Sequence, residues 1–283
     1  MKGKTVLITG ASSGIGFQAA KLIAQKGATV FVVARNESKA QKTVAELQQI
    51  VPDATIKGLH ADLSSLEAVR KLAADFKTQS DQLDVLLNNA GLVVNEHQLS
   101  ADGYELQFAV NHLAPFLLTH LLIDLIKAAP QGRVVNVSSA AHFQGKLSLQ
   151  RAKGPQESYK GMAAYAQSKL CNVLFTRRLA KAMEGTKVTT NCLHPGVVKT
   201  QIGNRPDSIL STIWTIMKPF MRSEEAGAGT SVFLATDPSL ETVTGKYFDQ
   251  NQKEKTASEI ALDDTVAEEL WMYSMDAVGL ASA

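Results

Sequence analysis

Residues 4–16 read Lys4-Thr5-Val6-Leu7-Ile8-Thr9-Gly10-Ala11-Ser12-Ser13-Gly14-Ile15-Gly16, and this stretch decides the fold. The run from Lys4 to Thr9 has the length of a buried strand. Three glycines follow, and Phe17 to Gln25 then continues with apolar residues at helical spacing. A strand, a Gly-rich turn and a helix in direct succession are what a dinucleotide site requires. The turn lets the backbone approach a pyrophosphate, whose charge is met by the N-terminus of the following helix. A glycine cluster alone is only a tight turn; its place between strand and helix gives it meaning.

Outward from this turn the chain alternates strands and helices. Ala28 to Val33 reads as a second strand, followed by a helix over Glu37 to Gln49, and Thr55 to Leu59 as a third, running toward Ala61-Asp62-Leu63. Asp62 reads either as a ligand-side residue at a strand end or as a helix N-cap, a role that Ser64 and Ser65 could equally fill. Leu83 to Leu87 is a fourth strand entering Asn88-Asn89-Ala90-Gly91. Gly103 to Lys127 reads as one long helix, or two joined at Pro115, with Asn111 inside it. Arg133 to Val137 and Val188 to Leu193 are a fifth and a sixth strand, and Gly245 to Phe248 a short seventh. Glu224 to Ala235 and Asp263 to Ser274 complete the helices. This alternation predicts a single α/β domain with a Rossmann-type, doubly wound, mainly parallel seven-stranded sheet. The cofactor half covers about 1–135, the catalytic and lid half about 136–250, and a tail helix about 262–275.

Composition excludes several classes. A net charge of +2 over 283 residues, with no basic run, gives no electrostatic footprint for nucleic acid. Cys171 and Cys192 fit no metal spacing or disulfide framework, which points to a reducing compartment. The run Val6-Leu7-Ile8 is too short for a signal peptide or a membrane span, so a cytoplasmic location is expected.

The end of the second strand bears on cofactor choice. An acid there would bind the ribose hydroxyls of NAD, whereas an Arg can take the 2′-phosphate of NADP. The chain has Ala34-Arg35-Asn36, which favours NADP(H). The chemistry lies in the second half. Tyr165 and Lys169, four apart on a helix, bring a phenol and an ammonium together, an arrangement expected to lower the phenol's pKa and make it an acid near neutral pH. Ser138-Ser139 end the fifth strand in the crevice where ligands bind, and a hydroxyl there could donate to a carbonyl oxygen gaining negative charge.

The spacing Thr9-Gly10-x-x-x-Gly14-x-Gly16, the Asn88-Asn89-Ala90-Gly91 turn, Asn111 and the Tyr165/Lys169 pair together resemble the short-chain dehydrogenase/reductase family. Ser138-Ser139-Ala140-Ala141-His142, Gln167-Ser168-Lys169-Leu170, Asn172 to Thr176 and His194 to Thr200 resemble its retinol dehydrogenase-like branch, a likeness that covers nearly the whole chain. The resemblance implies Asn111, Ser139, Tyr165 and Lys169 as the catalytic set, with Ser139 preferred over Ser138. It implies a cofactor site made of Gly10, Ser12, Ser13, Gly14, Ile15, Gly16, Arg35, Asp62, Leu63, Asn89, Ala90 and Gly91, with Tyr165, Lys169, Pro195, Gly196, Val198 and Thr200 completing it. The implied activity is NADPH-dependent reduction of a lipophilic aldehyde or ketone. Dimers or tetramers through the helices bearing Asn111 and Tyr165 are implied as well.

Two stretches should shape the pocket. The interval from Ser139 to Tyr165 is twice the usual family length, and Ala140 to Gly161 is polar enough to be a loop over the site. His142 within it reads as a surface residue and is left out of the chemistry. Ser208 to Met221 is apolar on more than one face, as expected of a substrate lid or a place of peripheral membrane contact. Two rivals stand beside the enzyme reading. A non-catalytic NADP(H)-sensing protein on this fold would typically lose the Tyr or the Lys, and both are present. Light-dependent protochlorophyllide reductase carries a Cys after the Pro-Gly pair, where this chain has Val197.

Overall fold

The computed structural model describes residues 1–154, 158–198 and 222–280. The first half alternates β1 (Thr5–Thr9), α1 (Gly14–Gln25), β2 (Thr29–Ala34), α2 (Glu37–Ile50), β3 (Ile56–His60), α3 (Leu66–Lys77) and β4 (Val85–Asn88). Then come α4 (Leu106–Phe108), a π-helical turn (Ala109–Leu113), α5 (Ala114–Ala128), β5 (Arg133–Val137), α6 (Gly161–Ala182) and β6 (Thr189–Leu193). The chain closes with α7 (Glu224–Thr236), β7 (Tyr247–Phe248), β8 (Glu254–Lys255), α8 (Glu259–Leu262) and α9 (Asp264–Ala277).

The strands form one sheet in the order β3-β2-β1-β4-β5-β6-β7-β8, parallel throughout except for β8. The expected doubly wound, mainly parallel architecture is what the chain adopts. The eighth strand is a two-residue antiparallel edge turned back by the Asp249 loop, whose carboxylate accepts from Asn251 N and Lys253 N. Two polar residues, Glu254 and Lys255, carry no strand periodicity, so the sequence gave no reason to expect it.

Parallel strands covered on both faces should be apolar at every position, and β1, β4, β5 and β6 are buried along their whole length. Alternation assigns the faces. Leu7, Phe31 and Leu86 point into a core shared with α3, α5, α6 and α9. Val6, Ile8, Val30 and Val32 point into the opposite core, with α1 and α7. The strand order reverses between β1 and β4, so the crevice beyond their C-terminal ends is the place for a ligand.

Leu106 to Ala128 is long and apolar enough to cross a membrane, yet most of it is buried inside this fold. In this structure it is a core helix. The expected helix from Gly103 begins at Leu106, because the Glu105 carboxylate accepts from Gln107 N at 3.0 Å and Phe108 N at 2.7 Å and so caps it there. Ser65, whose Oγ accepts from Ala68 N, caps α3, which leaves Asp62 free of that duty.

Candidate active site

The glycine turn sits at the reversal of strand order. Gly10 has φ +65°, a conformation that L side chains rarely adopt, and a Cβ there would lie 2.8 Å from the Ala90 backbone. A Cβ on Gly16 would lie 2.3 Å from Gly10 O and 2.4 Å from Asn89 Nδ2. Asn89 holds the two loops together by donating from Nδ2 to Thr9 O at 2.9 Å and Gly10 O at 3.2 Å. Thr9 Oγ1 accepts from Asn89 N and Ala90 N. Ser13, at the N-cap of α1, has extended backbone and makes no side-chain cap bond, and the first turn has no acid. The helix end therefore presents unused N–H donors through Ser12, Ser13, Gly14 and Ile15, a site suited to a pyrophosphate. These features fit a dinucleotide.

Arg35 and Asp62 face one another at the ends of β2 and β3, 3.9 Å apart and both largely exposed. Burial works to raise the Asp62 carboxyl. The hydrogen bonds from Ser64 N and Oγ, with Arg35 nearby, outweigh it and hold the group below the usual carboxylate range. Gly91 lies where a Cβ would come within 3.2 Å of Lys169 Nζ and 3.3 Å of Asn111 Oδ1, so the cofactor turn and the catalytic candidates meet there.

The four catalytic candidates converge. Asn111 is fully buried in the π-helical turn; Oδ1 accepts from Leu92 N at 2.8 Å, while Nδ2 donates to Leu92 O at 3.0 Å and to Ser168 Oγ at 2.9 Å. The two serines separate by partner. Ser138 Oγ donates to Lys169 O at 2.7 Å, whereas the Ser139 side chain accepts from Ala141 N and hydrogen-bonds the Tyr165 phenol. Lys169 Nζ donates to Val137 O at 2.9 Å and lies 5.7 Å from the centroid of the Tyr165 ring.

The direction of the phenol's pKa corrects the expectation from the Tyr/Lys spacing. Burial raises Tyr165 above its ordinary value, and the bond with Ser139 only partly offsets this. Lys169 is itself desolvated, which pushes its ammonium down to about 8, and it is turned toward a carbonyl rather than toward the phenolic oxygen. The helix brings the two residues together, but their environment sets the titration.

At the end of β6, His194 N donates to Phe248 O, and Gly196, at φ +82°, donates from its N to His194 Nδ1 at 3.2 Å. Pro195 and Gly196 thus lie on a turn anchored to the last strands. Val198 is buried, pairs with Arg222 and fills the space that a side chain at Gly227 of α7 would need, with Ile15 of the glycine turn close to the same point. Thr200 and the Ser208 to Met221 segment lie outside the described residues.

His142 corrects the surface reading. It is fully buried in a 3-10 turn (Ala140–Gln144), with Nδ1 2.8 Å from Ser139 O and Nε2 accepting from Ser258 N at 3.3 Å. It fixes the backbone of Ser139. The sequence reading also missed Asn136, which links Asn88 Nδ2 at 2.9 Å to Thr176 Oγ1 at 2.9 Å beneath the site. An Asn inside an otherwise apolar parallel strand was the available signal, since a polar group buried there needs partners.

Comparison with known proteins places this geometry. Residues 4–208 match the family model described as short chain dehydrogenase. The chain is 39% identical to human retinol dehydrogenase 12 over 280 residues, 99% of this chain and 88% of that protein. A solved structure of a Mycobacterium paratuberculosis protein superimposes with a TM-score of 0.80 at 28% identity, covering 98% of this chain and 94% of that one. Another, described as an NAD(P) dependent gluconate 5-dehydrogenase from Beutenbergia cavernae with bound NADP, gives a TM-score of 0.71 at 28% identity, covering 88% and 96%.

Proposed function

The chain belongs to the short-chain dehydrogenase/reductase family, in its retinol dehydrogenase-like branch, and from that membership we propose an NADPH-dependent reductase of lipophilic aldehydes or ketones, reversible in principle. The observation that carries this reading is the bond between Ser139 and the Tyr165 phenol, with the Lys169 ammonium beside the same ring, at the sheet edge that also holds the glycine cradle.

Tyr165 is the general acid that gives its proton to the nascent alkoxide. Its raised pKa keeps that proton in place through neutral pH. Ser139 donates to the carbonyl oxygen as it gains charge, an interaction worth on the order of 3 kcal/mol in comparable sites. Lys169 binds the nicotinamide ribose and supplies positive charge near the phenol. Asn111 holds the Leu92 backbone to α6 and supports the proton path to solvent. A bound reduced nicotinamide supplies the hydride.

Arg35 is the residue we assign to the 2′-phosphate. No carboxylate competes within its own strand end, and its contact with Asp62 is long and solvated, so little is lost when a phosphate replaces it. Asp62 and Leu63 flank the adenine, and Asn89, Ala90, Gly91, Pro195, Gly196, Val198 and Thr200 line the rest. Support for a lipophilic substrate comes from Phe143, Met162 and Val197, large apolar residues left exposed on the segments that carry Ser139, Tyr165 and Gly196. Ser208 to Met221 is the proposed lid and the place where the enzyme would meet a membrane surface from the cytoplasm.

The test is a carbonyl panel, from retinal and medium-chain aldehydes to small polar ketones, assayed with NADPH and NADH in parallel. Turnover of the lipophilic members with NADPH is expected. Tyr165→Phe should lose roughly 100- to 10,000-fold in turnover while still binding NADPH. Activity confined to small polar carbonyls would sink the substrate class. NADPH binding with no turnover of any member would point to a nucleotide-sensing protein instead.

A further inference from the structure

Outside the four catalytic candidates, the densest buried polar cluster joins Glu105, Gln107 and Tyr159. Tyr159 belongs to the long interval before Tyr165, and its hydroxyl donates to Glu105 Oε1 at 2.7 Å. The same hydroxyl accepts from Gln107 Nε2 at 2.6 Å. Gln107 Nε2 also reaches Gly161 O, at the first residue of α6, at 2.9 Å, and Val94 O at 3.3 Å. Two flanking carbonyls fix which way the amide points, because the opposite orientation would set oxygen against oxygen. Gln107 and Glu105 are almost completely buried, and Glu105 also holds the backbone N–H groups of Gln107 and Phe108.

The arrangement repeats that of Asn111 four residues later. Asn111 Nδ2 bridges Leu92 O and Ser168; Gln107 Nε2 bridges Val94 O and Gly161. Each amide ties the loop after Gly91 to α6, one on each side of Tyr165. The fit at the outer strut is tight: a Cβ on Gly161 would lie 2.2 Å from Val94 O, so the helix start abuts that loop.

We infer that Gln107, locked by Tyr159 and Glu105, is a positioning residue for Tyr165, the second of two amide struts that set α6 against the cofactor-side loop. The long interval before Tyr165 thus has a mechanical task besides covering the site: it delivers Tyr159 to the strut. The inference rests on Tyr165 being the acid.

The experiment compares wild type, Gln107→Leu, Tyr159→Phe and Tyr165→Phe in NADPH-dependent reduction of the best panel carbonyl. It reads kcat, KM for NADPH, the solvent deuterium isotope effect on kcat, and the melting temperature. Gln107→Leu should lower kcat roughly 10- to 100-fold, as a small misplacement of a catalytic group does. KM for NADPH should stay unchanged and the solvent isotope effect should rise, because proton transfer becomes slower. If Gln107→Leu does not fold, Tyr159→Phe decides, with a loss of about 3- to 10-fold and the same rise. A kcat loss without that rise, or wild-type kcat in the folded variants while Tyr165→Phe is inactive, overturns the positioning role and leaves the acid in place. An active Tyr165→Phe, or an inactive wild type, overturns both.

Discussion

Gly16 has less room than any other residue of the glycine turn. A methyl group there meets Gly10 O at 2.3 Å and Asn89 Nδ2 at 2.4 Å, and both are held, since Asn89 is hydrogen-bonded to Thr9 O and Gly10 O. Gly16→Ala gains about 1 kcal/mol of helix propensity and loses more to overpacking, about 1 to 3 kcal/mol, with the glycine loop pushed off its geometry. A fall of at least about tenfold in NADPH affinity, read by fluorescence titration, is expected together with a lower melting temperature. Gly229→Ala in α7 is the control: only the Gln252 side chain lies near, at 3.6 Å, so it should bind NADPH normally. Wild-type affinity in Gly16→Ala would show that the turn does not carry the pyrophosphate. At this scale the sequence was legible where spacing sets geometry, as in Gly10 to Gly16 and in the Tyr165/Lys169 turn. It was illegible where environment decides. Nothing in Ala164-Tyr165-Ala166-Gln167-Ser168-Lys169 says that the ammonium will turn to Val137 O, or that burial will outweigh it at the phenol.

Among the elements, the strands of the parallel sheet could be read from their unbroken apolar runs, and their ends located the crevice. The π-helical turn at Ala109–Leu113 could not, because its sequence fits an α-helix and only contacts to Leu92 and Ser168 show what the widened turn is for. Nor did the sequence show what α9 covers. Trp271 lies edge-on to Phe116 with ring centroids 5.2 Å apart, and the Arg178 guanidinium sits 4.7 Å from its centroid. Ser274 Oγ is 2.7 Å from His112 Nε2, and Asp264 and Glu268 pair with Arg177, Lys181 and Arg178. The helix therefore shields the outer faces of the π-helical turn, α5 and α6, the helices through which family resemblance implies self-association. Trp271→Ala should cost about 2 kcal/mol, since the ring is only partly buried, and lower the melting temperature by several degrees. Truncation after Leu262 should bare Phe116 and Phe175 and drive the chain into dimers or aggregates, measured by light scattering. A truncated chain with unchanged mass in solution and unchanged melting would mean that α9 does not protect this face.

Across the whole molecule, buried histidines set the acid limit of stability. His112 is fully buried, which pulls its pKa down to about 3, and burial is also the largest cause lowering His120, His142 and His194. In the unfolded chain each takes up a proton near about 6.5. Between that value and the folded ones the unfolded state holds more protons, so stability is complete above about 6.5 and declines as pH falls. The lowered carboxyls of Asp62, Asp237, Asp249 and Asp264 add a later decline of the same sign, below their ordinary value of 3.8. On the alkaline side, Lys169 loses its proton near 8 when folded against 10.5 when unfolded, which favours the native state as pH rises. The raised tyrosines reverse that trend above about 10. The maximum therefore lies between about 7 and 10, alkaline of the usual range. Calorimetry should find the melting temperature falling between pH 7 and pH 5, before any carboxyl titrates. His112→Phe, which replaces the ring among Phe108, Phe116 and Phe175, should flatten part of that fall at the cost of the Ser274 bond. A melting temperature constant from pH 7 to pH 5 would mean that these histidines are protonated in the native state, and the cores around them would then have to be open to water.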